Sequence, residues 1–371
     1  MKTIGVISRG PVASKSDGTL TRIFHLVKSL SKFGKVKLFE LSGGKEVFFE
    51  DKKVKEWPLD AKIESTDSFF RIIKNEFSIF KGLIKNQDEL KSCDMIFVAG
   101  TVSPSAIFVS RMLSDTLVLD IPFLYSRVVE ENFAKRSLGK FIEALAMKAS
   151  DRISFISDQE KAISMENYSL QEKNLFVVPH VVEVPSLKFR KDLNEVENLP
   201  EITGKKVLTF IGDLNAVQNK DSVEFILNDL VPSFQNENVV FLIIGKGKEE
   251  FEPKSPNVRF LGFVEELSPY LEITDICIAP LRVGAGIKTK ILDYLKFEKP
   301  VLTTVKGAEG FDFQNLEIVK VCDIENFEFH LRDMLKNLNE FKGEKGRKFI
   351  KENHSKKVSE DKIEELLSSL D

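Results

Sequence analysis

The sequence predicts an α/β protein built from two doubly wound domains. Short apolar runs typical of buried strands alternate with stretches of helical periodicity along most of the 371 residues. A charged stretch without periodicity, bracketed by Pro185 and Pro200, interrupts this alternation, which restarts at residue 207. The length suits two domains of ordinary size, so we interpret the interruption as an interdomain linker.

Composition narrows the class of protein further. The chain is 42% hydrophobic and 30% charged with a formal net charge of −3, which indicates a globular protein without the basic excess of a nucleic-acid binder. The three cysteines lie far apart without the spacing of zinc ligands, which favours free thiols in a reducing compartment. The first residues predict a strand and not a signal peptide, and no run approaches the roughly 20 apolar residues that span a bilayer. We therefore expect a cytoplasmic protein.

The first half begins with a βαβ unit. Strands are predicted at residues 2–8 and 36–41, with a helix at residues 19–33 between them, and a glycine-containing loop that reaches Gly18 follows the first strand. Ligands of open parallel sheets usually bind at such carboxyl ends of strands. Further strands are expected at residues 94–99, 117–121, 152–156 and 175–178.

Two helical segments of this half are rich in both apolar and basic residues. In the segment 68–85, six apolar residues are predicted to share one face: Phe69, Phe70, Ile73, Phe77, Phe80 and Ile84. This segment is either an interfacial helix on anionic lipid or a helix packed on the sheet. The segment 133–149 is a second basic helix.

The second half repeats the alternation. Strands are predicted at residues 207–212, 239–244, 258–261, 276–279, 301–305 and 318–321, and helices at residues 222–230, 267–271, 327–339 and 343–370. The most informative stretch is 276–302, in which a strand, a loop with Gly284 and Gly286, a helix and another strand follow one another.

This loop predicts a phosphate site. A glycine loop that leads into a helix presents free N–H groups and the positive end of the helix dipole. Lys288 and Lys290 add positive charge, and Asp293, about two turns beyond Gly286, could reach a sugar hydroxyl. The alternative is an ordinary βαβ unit with a solvated lysine face.

The order of motifs in the second half resembles family 4 of the retaining glycosyltransferases with the GT-B fold. The matching pieces are the strand ending in Gly212, Asn219, the strand ending in Gly245, the segment 258–264 ending in Val264, the segment 279–282 with Pro280, the loop and helix 284–293, and the segments 299–301 and 307–310. The first half agrees less closely, through Gly18 and the segments 152–157 and 177–180.

The resemblance implies two Rossmann-like domains facing a central cleft. An acceptor-side domain would comprise residues 1–184, a linker residues 185–205, and a nucleotide-sugar domain residues 206–350. A last helix in 351–371 would return to the first domain.

It also implies a function: transfer, with retention, of a sugar from a UDP- or GDP-sugar to a glycan or lipid-linked acceptor. Amides of residues 286–289, among them those of Ile287 and Thr289, would hold the diphosphate, Lys288 or Lys290 would balance charge on the leaving nucleotide, and Asp293 would bind the ribose. The resemblance also implies that no metal and no cofactor besides the nucleotide sugar are needed, and the sequence has no Asp-x-Asp motif, which fits. Peripheral contact with the inner face of the membrane is a further expectation.

Three departures from the family pattern concern the catalytic residues. Ala285 stands where the family carries the first glutamate of a spaced pair, and Asp213 where many members carry an arginine, with Lys220 as the nearest replacement. The family's histidine near the reacting sugar has no clear match. Asp120 is nearest in context, and it is equally an ordinary loop-capping carboxylate. These departures leave a catalytically inert binding or scaffold protein as the alternative function, whereas the glycine spacing argues against a P-loop NTPase or a dinucleotide-binding dehydrogenase.

Overall fold

The computed structural model describes residues 2–8, 10, 12, 18–40, 47–49, 52–59, 69–100, 103–129, 132–185, 202, 204–251 and 255–370. Contacts divide the chain into two compact units: the first contains Met1–Val181 and Lys356–Asp371, and the second contains Val182–Ser355. Most of the predicted linker, residues 185–205, lies outside the described residues. Each unit is an α/β sheet structure, as the sequence predicts.

The first unit contains an eight-stranded sheet with the order β3-β4-β2-β1-β5-β6-β7-β8, in which all neighbours are parallel except β3 and β4. Its strands are β1 (Lys2–Ser8), β2 (Gly34–Glu40), β3 (Val47–Phe49), β4 (Lys52–Pro58), β5 (Met95–Ala99), β6 (Leu117–Ile121), β7 (Arg152–Phe155) and β8 (Leu175–Val177). Strands β3 and β4 were not predicted; the lysine-rich β4 lacks the apolar run of a buried strand.

Helices cover both faces of this sheet. They are α1 (Gly18–Phe33), α2 (Phe69–Lys85), α3 (Gln87–Lys91), α4 (Pro104–Leu113), α5 (Tyr125–Val128), α6 (Phe133–Ala149), α7 (Asp158–Tyr168) and, from the end of the chain, α14 (Lys356–Ser368). Side chains of α2, α3, α4, α6 and α7 share one hydrophobic core, and those of α1 and α14 share another. The last helix of the chain therefore completes the first unit.

The face of α2 that packs on the sheet overlaps only in part with the predicted one. Phe80 and Ile84 of the predicted face pack against the core beside the buried Ile79 and Leu83, whereas Ile73 and Phe77 are exposed. Gly82 explains this choice, because a Cβ atom there would lie 2.2 Å from the carbonyl oxygen of Leu59. Apolar residues surround much of this helix, so their periodicity could not select the face on which the backbone approaches closely.

A buried ion pair holds the carboxyl end of β6. Arg22 donates from Nη2 to Asp120 Oδ1 at 2.6 Å and from Nε to Oδ2 at 3.1 Å, and Ser154 Oγ donates to Oδ1 at 2.7 Å. Arg22 Nη1 also donates to the carbonyl oxygen of Val178 at 2.7 Å. Because Asp120 is completely buried with both oxygens engaged, this geometry supports a structural role that links α1, β6 and β7.

The second unit contains a six-stranded, all-parallel sheet with the order β11-β10-β9-β12-β13-β14. Its strands are β9 (Lys206–Ile211), β10 (Val239–Ile244), β11 (Val258–Gly262), β12 (Ile276–Ala279), β13 (Val301–Thr304) and β14 (Val319–Cys322). Its helices are α8 (Val217–Phe225), α9 (Val231–Ser233), α10 (Ser268–Glu272), α11 (Thr289–Lys296), α12 (Phe327–Lys336) and α13 (Gly343–Asn353).

The largest differences from the predicted helix boundaries of this unit occur at two places. Helix α8 begins five residues before the predicted start at residue 222, because its first turn is polar and gives no apolar period. It continues through a π-helical segment, Ile226–Leu230, into α9. The predicted helix 343–370 is two helices, since the chain turns at His354, whose carbonyl oxygen accepts a hydrogen bond from Val182 N at 2.8 Å.

Within the described ranges, no helix is both long and apolar enough to cross a membrane.

Replacing Asp120 with alanine is expected to destabilise the first unit. Breaking a buried ion pair leaves the Arg22 guanidinium without its counter-charge, a loss of about 3–5 kcal/mol. We expect a clearly lower unfolding midpoint in thermal or urea denaturation followed by circular dichroism. Glu365→Gln, which removes the exposed pair with Lys362, is the matched control and should change the midpoint little. A D120A protein as stable as E365Q would contradict the structural role.

Candidate functional site

The predicted strand, glycine loop and helix are present at the carboxyl edge of the second sheet. Strand β12 ends at Ala279, Pro280 follows, and α11 begins at Thr289. Gly284 and Gly286 have φ values of 107° and 69°, in the left-handed region that favours glycine. A Cβ atom on Gly284 would lie 3.4 Å from Cβ of Gln218, so this loop lies directly against the first turn of α8.

One hydrogen bond joins the first turns of α8 and α11. Lys290 Nζ, in the first turn of α11, donates to Oδ1 of Asn219 at 2.6 Å. Asn219 in turn donates from Nδ2 to the carbonyl oxygen of Asp213 at 2.8 Å. The N-terminal ends of two helices, each with N–H groups that lack partners inside the helix, therefore meet beside one ammonium group.

The surroundings of the Lys290 ammonium group disfavour a positive charge that has no counter-ion. It lies 4.0 Å from the ring centroid of Phe210, in a cation–π contact. Burial, together with the nearby charge of Lys288, lowers the pKa of Lys290 well below its ordinary value. An anion bound here would favour the charged form of Lys290, so the site is electrostatically suited to an anionic ligand.

Lys288 holds the loop itself. Its buried side chain donates from Nζ to the carbonyl oxygens of Gly286, at 2.6 Å, and Ala285, at 3.2 Å. These contacts turn loop carbonyl groups toward an ammonium group and fix the backbone just before α11. Lys288 thus orders the loop and adds its charge to the positive end of that helix.

Glycines of the neighbouring strands allow the backbone to approach this region. A Cβ atom on Gly212 would lie 2.7 Å from the side chain of Asn219, and one on Gly245 would lie 1.7 Å from the carbonyl oxygen of Gly212. Gly245 N also donates to the carbonyl oxygen of Gly262 at 2.8 Å. Any larger residue at Gly212 or Gly245 would separate β9, β10 and the start of α8.

Two further aromatic residues belong to this edge and were not predicted. Phe263, which follows β11 and precedes Val264, is 65% exposed, and Lys246 Nζ lies 5.0 Å from its ring centroid. Tyr294 is buried on α11, and its hydroxyl oxygen accepts the N–H of Ile211 at 2.9 Å. Burial raises the pKa of Tyr294, so its neutral hydroxyl group anchors α11 to the end of β9. A lone aromatic residue gives no motif, which is why neither was found.

Asp293 lies on the same helix as Lys290, three residues further on. Its carboxylate accepts a hydrogen bond from Lys296 Nζ at 2.6 Å and remains partly exposed. Ile287 is partly buried against the core below the loop, and Pro280 accepts a hydrogen bond from Ser222 Oγ at 3.3 Å.

Two predicted positions of this unit direct their side chains away from the Lys290 cluster, which consists of Lys290, Asn219, Lys288 and Phe210, and two further predicted positions belong to the first unit. Lys220 is exposed and donates to Glu250 Oε2 at 2.6 Å, which raises the pKa of Lys220. Both line a separate cavity of about 220 Å³. Asp213 accepts from the backbone and side chain of Asn215 in a local turn. Asp120 and Gly18 belong to the first unit, where Gly18 is the first residue of α1.

Among the side chains that the structure describes, no group of three or more His, Cys, Asp or Glu residues is arranged to hold a metal ion.

A model of a known protein family matches a large part of the second unit. Residues 205–337 match the family model described as "Glycosyl transferases group 1". This region contains every residue of the Lys290 cluster, and the match supports the group 1 glycosyltransferases as the class to which this unit is similar.

Curated relatives match over part of their length. An uncharacterised 44.6 kDa protein in the cps region of Klebsiella pneumoniae is 27% identical over 248 residues, 62% of this chain and 61% of that protein. The probable glycosyltransferase WbjE of Pseudomonas aeruginosa is 28% identical over 185 residues, 46% of this chain and 41% of that protein. The chain thus spans less than two thirds of either relative.

Solved structures show the fold over the whole chain. Sucrose-phosphate synthase from Thermosynechococcus elongatus aligns with a TM-score of 0.79 at 13% identity, over 100% of this chain and 99% of that one. HepE of Anabaena in complex with UDP aligns with a TM-score of 0.74 at 12% identity, over 100% of both chains. The protein therefore has the GT-B fold that the sequence predicts.

The lowered pKa of Lys290 predicts a pH dependence of stability. Between this lowered pKa and the ordinary value of 10.5, the unfolded chain binds more protons at this residue than the folded chain. The free energy of unfolding rises with pH wherever the unfolded state binds more protons. The destabilisation caused by the charged Lys290 is therefore complete at low pH and disappears as the pH approaches 10.5. In Lys290→Met this contribution is absent. We expect urea unfolding between pH 7 and about 10 to show wild-type stability rising relative to K290M. The prediction would be contradicted if the free energies of unfolding of the wild type and K290M changed with pH by the same amount.

Proposed function

We propose that the protein is a retaining glycosyltransferase that uses a nucleoside diphosphate sugar as donor. The observation that carries this proposal is the hydrogen bond between Lys290 and Asn219, which places an ammonium group where the N-terminal ends of α8 and α11 meet. A diphosphate is the part of the donor that such a site fits, because it carries several negative charges and many acceptor oxygens.

The same groups support the chemical step. In sugar transfer, the bond between the anomeric carbon and the β-phosphate oxygen breaks, and its electron pair stays on the leaving nucleoside diphosphate. Lys290, the amides of 286–289 and the dipole of α11 would stabilise this developing charge. These groups are already in position before the reaction begins. We propose that they do so without a metal ion, in accordance with the absence of an Asp-x-Asp motif from the sequence.

We assign the nucleoside end of the donor to Asp293 and the strand ends near Val264. A carboxylate on the helix that binds the diphosphate can accept hydrogen bonds from two ribose hydroxyl groups, for which it would exchange its contact with Lys296. The exposed ring of Phe263 provides a surface on which a base could stack. A uridine donor has the most support, since the structurally similar HepE is in complex with UDP.

The acceptor proposed is a glycan or a lipid-linked glycan. The relative WbjE, a probable glycosyltransferase, and the structurally similar WaaG, a glycosyltransferase involved in lipopolysaccharide biosynthesis, support this class of acceptor. The free and buried state of Cys93, Cys277 and Cys322 fits a reducing compartment as the place of action.

A nucleotide-sugar panel tests the function. The protein is titrated calorimetrically with UDP-, GDP- and other nucleotide sugars, and each one that binds is incubated with and without glycan acceptors. Release of the free nucleotide and formation of a product whose anomeric configuration matches the donor by NMR support the proposal. Binding without turnover of any donor would instead support the inert binding protein, and no binding would contradict both.

Lys290→Met is expected to weaken binding of the diphosphate. A hydrogen bond to a charged group contributes about 1.5–3 kcal/mol, so affinity for UDP should fall about 10- to 100-fold. Affinity for uridine, which has no phosphate, should be unchanged. The matched control is Lys348→Gln, an exposed lysine on α13. Equal loss of UDP and uridine binding, measured by calorimetry, would mean that Lys290 acts on the fold and not on phosphate.

Asp293→Ala is expected to weaken binding of ribose in particular. We expect about a tenfold or greater loss for UDP, because charge-assisted hydrogen bonds to two hydroxyl groups are removed. The 2′,3′-dideoxy analogue should bind the variant and the wild type equally. Asp361→Ala, on an exposed position of α14, is the control. If the analogue and UDP lose affinity to the same extent, Asp293 does not contact the ribose.

A further inference from the structure

Three neighbouring helices of the first unit expose large apolar side chains to solvent. The side chains are Ile73 and Phe77 on α2, Phe108 and Met112 on α4, and Phe141 and Leu145 on α6, and each is 51% to 67% exposed. We call the outward sides of these helices the three-helix surface. Helix α4 was not predicted from the sequence. On α2, Ile73 and Phe77 belong to the apolar face that was predicted from the sequence.

These residues face the same side of the unit. Buried residues of α2, α4 and α6 enter one core on one face of the sheet, and α2 packs against α4, which packs against α6. The exposed residues recur at a spacing of four on all three helices, which places each pair as a stripe on one side of its helix. Phe133, at the start of α6, is 82% exposed as well. The apolar stripes therefore lie beside one another. They form one patch, unlike the isolated exposed apolar residues that are common on protein surfaces.

The same helices carry a strong positive charge. Their sequences contain nine lysines and arginines and two glutamates, whereas the whole chain has a net charge of −3. Both glutamates are turned inward: Glu143 is 1% exposed, and Glu76 accepts hydrogen bonds from Ser103 and Ser105 at the start of α4. Lys81, Lys135, Arg136 and Lys148 are exposed around the apolar stripes. The surface is thus both apolar and cationic, in a chain that is otherwise acidic.

We propose that the three-helix surface binds an anionic lipid bilayer. Aromatic and aliphatic side chains would enter the boundary between headgroups and acyl chains, and the surrounding lysines and arginines would contact lipid phosphates. A second copy of the chain fits poorly, because a two-fold contact would place the same cationic surface against itself. A soluble polyanion would satisfy the charges but would leave the phenylalanines in water. This surface lies in the first unit and the donor residues in the second, so the two proposals can fail independently.

Vesicle co-sedimentation of the full chain tests the proposal. We expect binding to vesicles of phosphatidylcholine with about one third phosphatidylglycerol, and at least tenfold weaker binding to phosphatidylcholine alone. Raising NaCl from about 0.05 to 0.5 M should weaken binding to the anionic vesicles about tenfold or more.

Paired variants separate the two contributions. Phe141→Ser with Leu145→Ser should reduce binding at least tenfold, and Lys135→Gln with Arg136→Gln should reduce binding and flatten its salt dependence. The controls are Phe329→Ser, an exposed phenylalanine on α12 in the second unit, and Lys348→Gln with Lys351→Gln on α13, which should bind as the wild type does. Circular dichroism and nucleotide titration verify that each variant is folded.

Three outcomes would overturn the proposal. The first is no binding to anionic vesicles at about 0.05 M NaCl, where screening is weak. The second is equal binding by the surface variants and their controls. The third is a dimer in sedimentation velocity that F141S with L145S dissociates, or binding to heparin without binding to vesicles, since these results would assign the surface to a second copy or to a soluble polyanion.

Discussion

The geometry of the candidate site depends on a single hydrogen bond between a partly buried ammonium group and an amide. Lys290 and Asn219 are 71 positions apart in sequence, and their contact fixes the start of α11 against the start of α8. Three other features serve the same contact. Gly212 leaves space for Asn219, Phe210 lies beneath the ammonium group, and Tyr294 ties α11 to β9. Without a ligand this arrangement holds a charge where burial disfavours it, as expected of a site prepared for an anion.

The architecture of the second unit could be predicted almost completely, and the site only in part. Strands β10 and β12 are continuous apolar runs, as is typical of parallel strands covered on both faces, and the glycines of the loop after β12 mark the start of α11. The residues that we propose to bind the diphosphate were selected from the order of motifs. Their contacts did not, because a side chain's direction is decided by tertiary neighbours. Lys220 illustrates the limit, since it follows Asn219 in sequence yet points to Glu250.

The first unit shows where periodicity fails. Strand β4 is rich in lysine, and α2 is apolar on more than one side, so neither gives the pattern of a single buried face. The close approach of Gly82 to Leu59 selects the packed side of α2, and no local pattern encodes that contact. Asp120 presents a related ambiguity. An acidic residue at the end of a central strand suits catalysis and structure equally well from sequence, and only its burial with Arg22 distinguishes them.

The first unit is formed from two stretches that are far apart in the sequence, and this has a consequence for folding during synthesis. Ile363 and Leu366 of α14 belong to the same core as Leu26 and Leu30 of α1, although more than 300 residues separate these helices. During synthesis from the N-terminus, the first unit emerges with that core uncovered and must wait for the entire second unit to be translated. Translation of α14 therefore covers this core. A chain that stops before α14 exposes an apolar surface that chaperones and proteases can recognise.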